Sequence, residues 1–374
     1  MKFPLDTADP ASLGLDAQAL DRLMEVVTRH VTEGRYPGAQ LAIARHGTLA
    51  LERTVGDARL DPGRVLAGDD TLWLLYSNTK VITACAVWML AERGALRFGD
   101  TVASHVPGFE ANGKGEITII QLLTHQAGFP GADVPAEAWD DHELLRKTVC
   151  DFTLEWAPGS RVHYHGRAAH WTAAVLIEAI ARTDYRTFIR DHVITPLGLR
   201  DELFVGLPDK QHDRAADMHE PADGRQVKRA DENNAPFRRA GTPGGGGYAT
   251  ARAMAAFYQM LVQGGTLNGR RLLSPRMIAY VTRNFTGDRV DGYMGMPMHR
   301  GLGPHTRGGT DNIRGLGALA SPRTFGHGGV GSSYCWADPD SGVSFAYLTN
   351  SRIPDPWHSD RLDLISNLVH SSID

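Results

Sequence analysis

Cysteine is scarce: Cys85, Cys150 and Cys335 are scattered through 374 residues, and none stands in a C-x-x-C pair. A disulfide framework and a cysteine-built zinc site are therefore not expected, and buried reduced thiols are. Charge of one sign is also lacking. Net charge is −4 and the pI is near 6.5, so nothing attracts nucleic acid or an anionic membrane in bulk. The apolar run at 81–91 is too short to cross a bilayer. The opening MKFPLDTADPAS has no apolar h-region, so we expect a cytoplasmic protein with no membrane partner. No G-x-S-x-G elbow occurs, which argues against a Ser-His-Asp hydrolase, and no H-E-x-x-H occurs, so neither a metal nor another cofactor is expected. Lysine is rare as well. Only six of the 39 basic residues are lysines, so arginine is the default surface cation.

What is present alternates between strand and helix patterns. Residues 15–31 repeat Leu20, Leu23, Met24 and Val27 at helical spacing. Two short apolar runs around His46-Gly47 read as a β-hairpin, and strands at about 333–337 and 343–349 flank a turn at 338–342. A helix from about 357 to 370 closes the chain. Between these ends, 79–94, 118–126, 167–182, 185–193, 250–263 and 274–283 read as helices. The economical fold is α+β: an antiparallel sheet built from both chain ends, flanked by the terminal helices, with a mainly helical region inserted. We place an α/β domain at 1–70 plus 245–374 and a helical domain at 71–244, with a cleft between them, a common place for a site. The polar stretch 203–247 and the Gly-, Met-, His- and Arg-rich stretch 285–324 have no regular assignment, and both are candidates to wall the cleft. Met294, Met296 and Met298 are candidate lining residues.

The most informative segment is WLLYSNTKVIT at 73–83. From Val81 to Ala91 the helix pattern is apolar on every face, so the helix is buried. Ser77 lies at its N-terminus, where the macrodipole favours developing negative charge. Lys80 lies one turn further on the same face. A desolvated lysine loses proton affinity and can act as a base for the serine. A serine in this place is also an ordinary helix cap, and a lysine can snorkel to water, so the pair needs partners before it means catalysis.

Two further segments offer them. In WAPGSRVHYHG (156–166), Tyr164 arrives just before a helix, and between cations its phenol could titrate low. In FGHGGVGSS (325–333), glycines precede a strand and let backbone approach a ligand closely. There Val330 N–H, with Ser77 N–H, could hold an oxyanion. His163, His165 and His170 cluster in sequence but lack the spacing of a zinc site. His125 is expected to tie a helix end to a neighbouring loop, and His165 to line the cleft. The run Gly244–Gly247 has no P-loop context and reads as a packing turn.

Taken in order, YSNTK, the tyrosine after PGSRVHY and HGG before a strand resemble the serine β-lactamase and penicillin-binding-protein superfamily. The likeness is closest to its class C branch and to family VIII carboxylesterases. ITIIQLLTHQAGF (117–129), ITPLGLRD (194–201) and GGGGYATARAMAAFYQMLVQGG (244–265) support it, and it covers roughly residues 15–370. The resemblance implies a two-lobed fold and an acyl-enzyme chemistry. In it, Ser77 is acylated, Lys80 and Tyr164 serve as acid and base, and Ser77 and Val330 form the oxyanion hole. His327, Gly328 and Gly329 then fall at the substrate-binding K-T-G position. From the residues themselves, His165 and Trp336 are further candidates to contact substrate.

The departures matter too. Gly166 stands where the Y-x-N asparagine would be, and His327 where the lysine that helps hold a substrate carboxylate would be. A neutral histidine does this poorly at pH 7, so an ester of low charge is favoured over a β-lactam. The expected partner is a small-molecule ester or amide. An amidase on the same scaffold, or a silent member that only binds an acyl ligand or a protein, are the other readings.

Overall fold

The computed structural model describes residues 2–310 and 315–374. Within the unassigned stretch 285–324, residues 311–314 therefore lie outside the described residues. The main sheet takes strands from both ends of the chain, as the alternating pattern requires. Gly38–Arg45 and Thr48–Arg59 form the hairpin, with His46 (φ 52°) and Gly47 (φ 83°) both left-handed, as a two-residue connection demands. Gly38–Arg45 pairs antiparallel with Val343–Thr349, which pairs with Ser333–Asp338, which pairs with Phe325–Gly329. The short strand His305–Thr306 closes one edge, and Asp6–Thr7 runs parallel to Thr48–Leu49 at the other, so the sheet is not wholly antiparallel.

Strand alternation sorts the core into two layers. Leu41, Ile43, Phe345 and Tyr347 face the terminal helices Ala17–Thr32 and Trp357–His370, where they meet Leu20, Leu23, Val27, Ile365 and Val369. Ala42, Ala44 and Ala346 face the other way, into the layer that holds Met254 and Phe257 of the helix Ala251–Val262. The central strands are covered on both faces, which is why they read as nearly continuous apolar runs.

Most predicted helices are present within two or three residues of their expected bounds. Caps set several starts: Asp16 before Ala17–Thr32, Thr250 before Ala251–Val262, Ser274 before Pro275–Val281, and a Thr118–Gln121 capping box before Ile119–Leu123. The last is shorter than expected because His125 is left-handed (φ 61°). The helix His142–Cys150, capped by Asp141, was not anticipated. The 203–247 stretch holds a strand at Leu203–Val205 and a hairpin of His219–Ala222 with Arg225–Lys228. Leu203–Val205 and Trp73–Leu74 pair on either side of Gly247–Ala249, a small sheet that joins strands from both sides of the boundary drawn at 244/245. Among the described residues, no helix is long and apolar enough to cross a membrane.

Candidate active site

Tyr76–Asn78 is a tight 3-10 turn leading into Thr79–Glu92, and Ser77 sits at its middle. The turn is strained: Tyr76 is left-handed at φ 43°. Its surroundings hold it there. The Tyr76 phenol donates to Glu232 at 3.1 Å, Leu75 N–H donates to Gly247 O at 2.8 Å, and Asn78 Nδ2 donates to Ser333 Oγ at 2.9 Å. The last contact pins the serine turn to the strand after HGG.

Every residue from Thr79 to Leu90 is buried, Lys80 included. Lys80 Nζ lies 3.2 Å from Ser77 Oγ and donates to Gly166 O at 2.8 Å and Gly244 O at 2.7 Å. The predicted packing turn at Gly244 therefore also supplies a carbonyl to the lysine. A Cβ at 244 would stand 3.0 Å from Nζ. Burial, reinforced by the nearby Arg300 and Arg167 cations, lowers the lysine to about 7.

Tyr164 comes from a loop but is held like a core residue. Three consecutive N–H groups are anchored: His163 N to His125 O at 3.0 Å, Tyr164 N to Asp291 Oδ1 at 3.1 Å, and His165 N to His125 Nδ1 at 3.1 Å. The Tyr164 hydroxyl donates to Ser77 Oγ at 2.8 Å. Its ring faces Lys80 Nζ at 5.2 Å and Arg300 Cζ at 5.0 Å, so both expected cations are present. The expected lowering of its pKa is nevertheless overturned. Burial outweighs the Ser77 hydrogen bond and the Arg300 charge, and the phenol rises to about 12.

Ser77 and Tyr164 open onto a cleft of about 320 Å³ that also takes in His327, Gly328, Gly329 and Val330. Val330 is half-exposed at its rim. His327 is buried, with Nδ1 2.8 Å from Gly328 O, and burial holds it well below the usual histidine range. The HGG segment lies within the strand Phe325–Gly329 itself, not ahead of a strand, and it is second from the sheet edge.

Two expected cleft residues are elsewhere. His165 is fully buried. Its Nδ1 bonds His163 O at 2.6 Å and its Nε2 accepts Phe129 N–H at 3.1 Å, so its ring braces the loop carrying Tyr164. Trp336 lies under the terminal helix, stacked on His370 at 4.3 Å, with Nε1 donating to Ser366 Oγ at 3.0 Å. Tyr334, two residues back on the same sheet face, takes the cleft position instead. Of the methionines, Met294 lines the cleft, whereas Met296 and Met298 line a separate small cavity beside His299. The 203–247 stretch supplies the Gly244 carbonyl but no cleft wall. The far wall is Asp355, His358, Ser359 and Leu362, whose contribution no local motif announced. Tyr293, Arg300 and His305, which line the cleft, and Asp291, which accepts Tyr164 N–H, were missed because they belong to the stretch without periodicity.

A family model described as Beta-lactamase matches residues 18–369. The chain belongs to the beta-lactamase family. This beta-lactamase-family chain is 29% identical over 353 residues to the esterase/beta-lactamase LipL of Mycobacterium tuberculosis, a match covering 86% of this chain and 79% of that protein. Among solved structures it is similar to a penicillin-binding-protein homolog from Caulobacter crescentus (TM-score 0.83, 28% identity, 96% and 99% of the two chains). It is also similar to a family VIII carboxylesterase (TM-score 0.81, 26% identity, 94% and 98%). This family member is thus a serine hydrolase of the β-lactamase and penicillin-binding-protein superfamily, with carboxylesterases among its structural neighbours.

Proposed function

We propose that this hydrolase cleaves small carboxylic esters through an acyl-enzyme on Ser77. The observation carrying the reading is that Ser77 Oγ lies between Tyr164 Oη at 2.8 Å and Lys80 Nζ at 3.2 Å. Lys80 Nζ donates to the carbonyls of Gly166 and Gly244 and reaches Ser77 Oγ at 3.2 Å, so on losing a proton the amine can keep both carbonyl bonds and turn its lone pair to the serine hydroxyl. Tyrosine near 12 and lysine near 7 are pushed apart, which supports lysine as base and tyrosine as acid.

In acylation, Ser77 Oγ attacks the ester carbonyl carbon as its proton passes to Lys80 Nζ. The carbonyl π pair moves onto oxygen, and the N–H groups of Ser77 and Val330 are assigned to that oxyanion. When the tetrahedral intermediate collapses, the C–O bond to the alcohol breaks and Tyr164 gives the alkoxide its proton. The proton taken up by Lys80 then returns to Tyr164, which restores both groups. Water then repeats the sequence on the acyl group.

The ester preference rests on His327. Where a carboxylate-binding lysine would stand there is a buried neutral ring, and Gly166 offers no amide to a peptide-like substrate. LipL is named an esterase and β-lactamase, and a structural neighbour is a carboxylesterase, in keeping with this. Short-chain p-nitrophenyl esters, nitrocefin and a D-alanyl anilide should be compared, with Ser77→Ala as control. Ester turnover well above the other two, absent in the variant, is expected. Undiminished turnover by Ser77→Ala would end the reading, and preference for nitrocefin or the anilide would move it to an amidase.

A further inference from the structure

A buried ion pair stands against Tyr164, and no step above uses it. Asp291 is wholly buried and Arg300 is 1% exposed. Asp291 Oδ2 accepts Arg300 Nη2 at 2.6 Å and Nε at 3.2 Å. Its other oxygen, Oδ1, accepts the backbone N–H of Tyr164 at 3.1 Å, of Tyr293 at 3.0 Å and of Met294 at 3.3 Å. Arg300 is itself fixed: its N–H donates to Thr286 Oγ1 at 3.0 Å, and its Cζ stands 5.0 Å from the centroid of the Tyr164 ring. Its Nη1 is buried and has no hydrogen-bond partner among the described residues.

Such a pair is a poor stabiliser, because two charges have left water and well-packed apolar residues would do as well or better. Its arrangement has a different content. One carboxylate links the cation to the main chain of the acid–base tyrosine and to the turn at Tyr293 and Met294, which lines the cleft. We propose that Asp291 and Arg300 are positioning residues for the acid–base step: the carboxylate fixes the Tyr164 backbone through its N–H, and the guanidinium against the ring sets the field in which Tyr164 and Lys80 exchange protons with Ser77. This rests on the acid–base assignment of Tyr164 and Lys80 made above.

The groups facing the phenol ring define what that field contains. Lys80 faces it from the nucleophile helix at 5.2 Å, His125 from the turn after Ile119–Leu123 at 4.7 Å, Tyr293 at 5.6 Å and His327 from the sheet at 6.2 Å. Burial keeps both histidines neutral. The lasting charges at the ring are therefore Arg300 and Asp291. Arg300 lowers the proton affinity of both Tyr164 and Lys80, while Asp291 raises that of Tyr164. The guanidinium thus acts on base and acid together.

The test uses the full-length enzyme with Arg300→Gln, Arg300→Lys and the double variant Asp291→Asn/Arg300→Gln, each checked for folding by circular dichroism and melting. The double variant keeps an acceptor for Tyr164 N–H and leaves no unpaired buried charge, so it decides the matter if Arg300→Gln does not fold. In the variants lacking the cation, the acid limb of kcat/KM should move up by about half a pH unit or more. Meanwhile kcat should fall about tenfold or more with KM within about twofold. Arg300→Lys should return the limb toward its wild-type place. An unmoved limb in a folded variant lacking the cation, or a loss confined to KM, would overturn the proposal. Ser77→Ala and Tyr164→Phe are run beside them: if those retain turnover, the acid–base assignment itself fails, a result separate from the Arg300 series.

Discussion

A Cβ on residue 329 would stand 2.6 Å from the carbonyl oxygen of Leu75. The same Cβ would meet Ser333 Oγ at 2.5 Å. Gly329 is what allows the sheet to lie against the strained turn that presents Ser77. Even if the Ser333 hydroxyl turns aside, the Leu75 carbonyl is main chain, so Gly329→Ala has to push strand and turn apart. A stability loss of about 1–3 kcal/mol is expected from overpacking, with a fall in kcat larger than that from any rim substitution. Melting curves and the burst amplitude with a p-nitrophenyl ester measure the two effects.

The pH profile should report Lys80. With the lysine lowered to about 7, kcat/KM should fall about tenfold for each pH unit below about 7 and level off above it. Lys80→Met should be nearly inactive and show no such limb. A wild-type profile flat from about pH 5 to 9 would contradict a lysine base of this kind.

The same residue ties stability to pH. Its folded value lies below the 10.5 of an unfolded lysine, so between about 7 and 10.5 the unfolded chain binds more protons than the folded one. The contribution of this site to stability therefore rises with pH across that window and is constant below it. Comparing unfolding of wild type and Lys80→Met at pH 6 and pH 9 isolates the effect. A difference that does not grow toward pH 9 would show that the lysine keeps its proton when folded.

Tyr164→Phe removes only the hydroxyl that reaches Ser77 at 2.8 Å. The ring, its packing against His125 and the three anchored N–H groups stay. Turnover should fall by about 10²–10⁴, the usual worth of a positioned acid–base group. Labelling of Ser77 by a fluorophosphonate should continue at a reduced rate. Wild-type turnover in this variant would remove the phenol from the mechanism.

His165 and Trp336 should affect stability and not selectivity. His165→Ala leaves the Phe129 N–H and His163 carbonyl unpaired in the interior, at about 1–3 kcal/mol. Trp336→Phe leaves a gap against His370 and deletes the bond to Ser366. A panel of esters of increasing acyl length should give the wild-type order of kcat/KM for both. A changed order with Trp336→Phe would return that residue to the substrate.

Much of this was legible because it is local. Periodicity and caps locate helices such as Ala17–Thr32 and Ala251–Val262, and strand alternation locates both halves of the sheet. The pair Ser77 and Lys80 is legible for the same reason: three residues along one helix face is a distance that the helix itself sets. Tyr164 needed the ordered set of motifs, since a single tyrosine carries no signal. Trp336 was misread because alternation gives a face of the sheet but not the depth along it. Asp291 and Arg300 were invisible, because their stretch has no period and their partner lies more than a hundred residues away.

From its residues alone the chain determines a buried helix headed by a serine with a lysine one turn on, and a sheet assembled from its two ends. Hydrogen bonding and burial over a few residues dictate both. Only the tertiary structure decides which proton each group holds. Burial raises the tyrosine and lowers the lysine, two carbonyls from distant loops fill the N–H bonds of the amine, and an ion pair from an aperiodic stretch stands against the ring. Those are effects of solvent exclusion and of charges brought together in space, and no short window of sequence contains them.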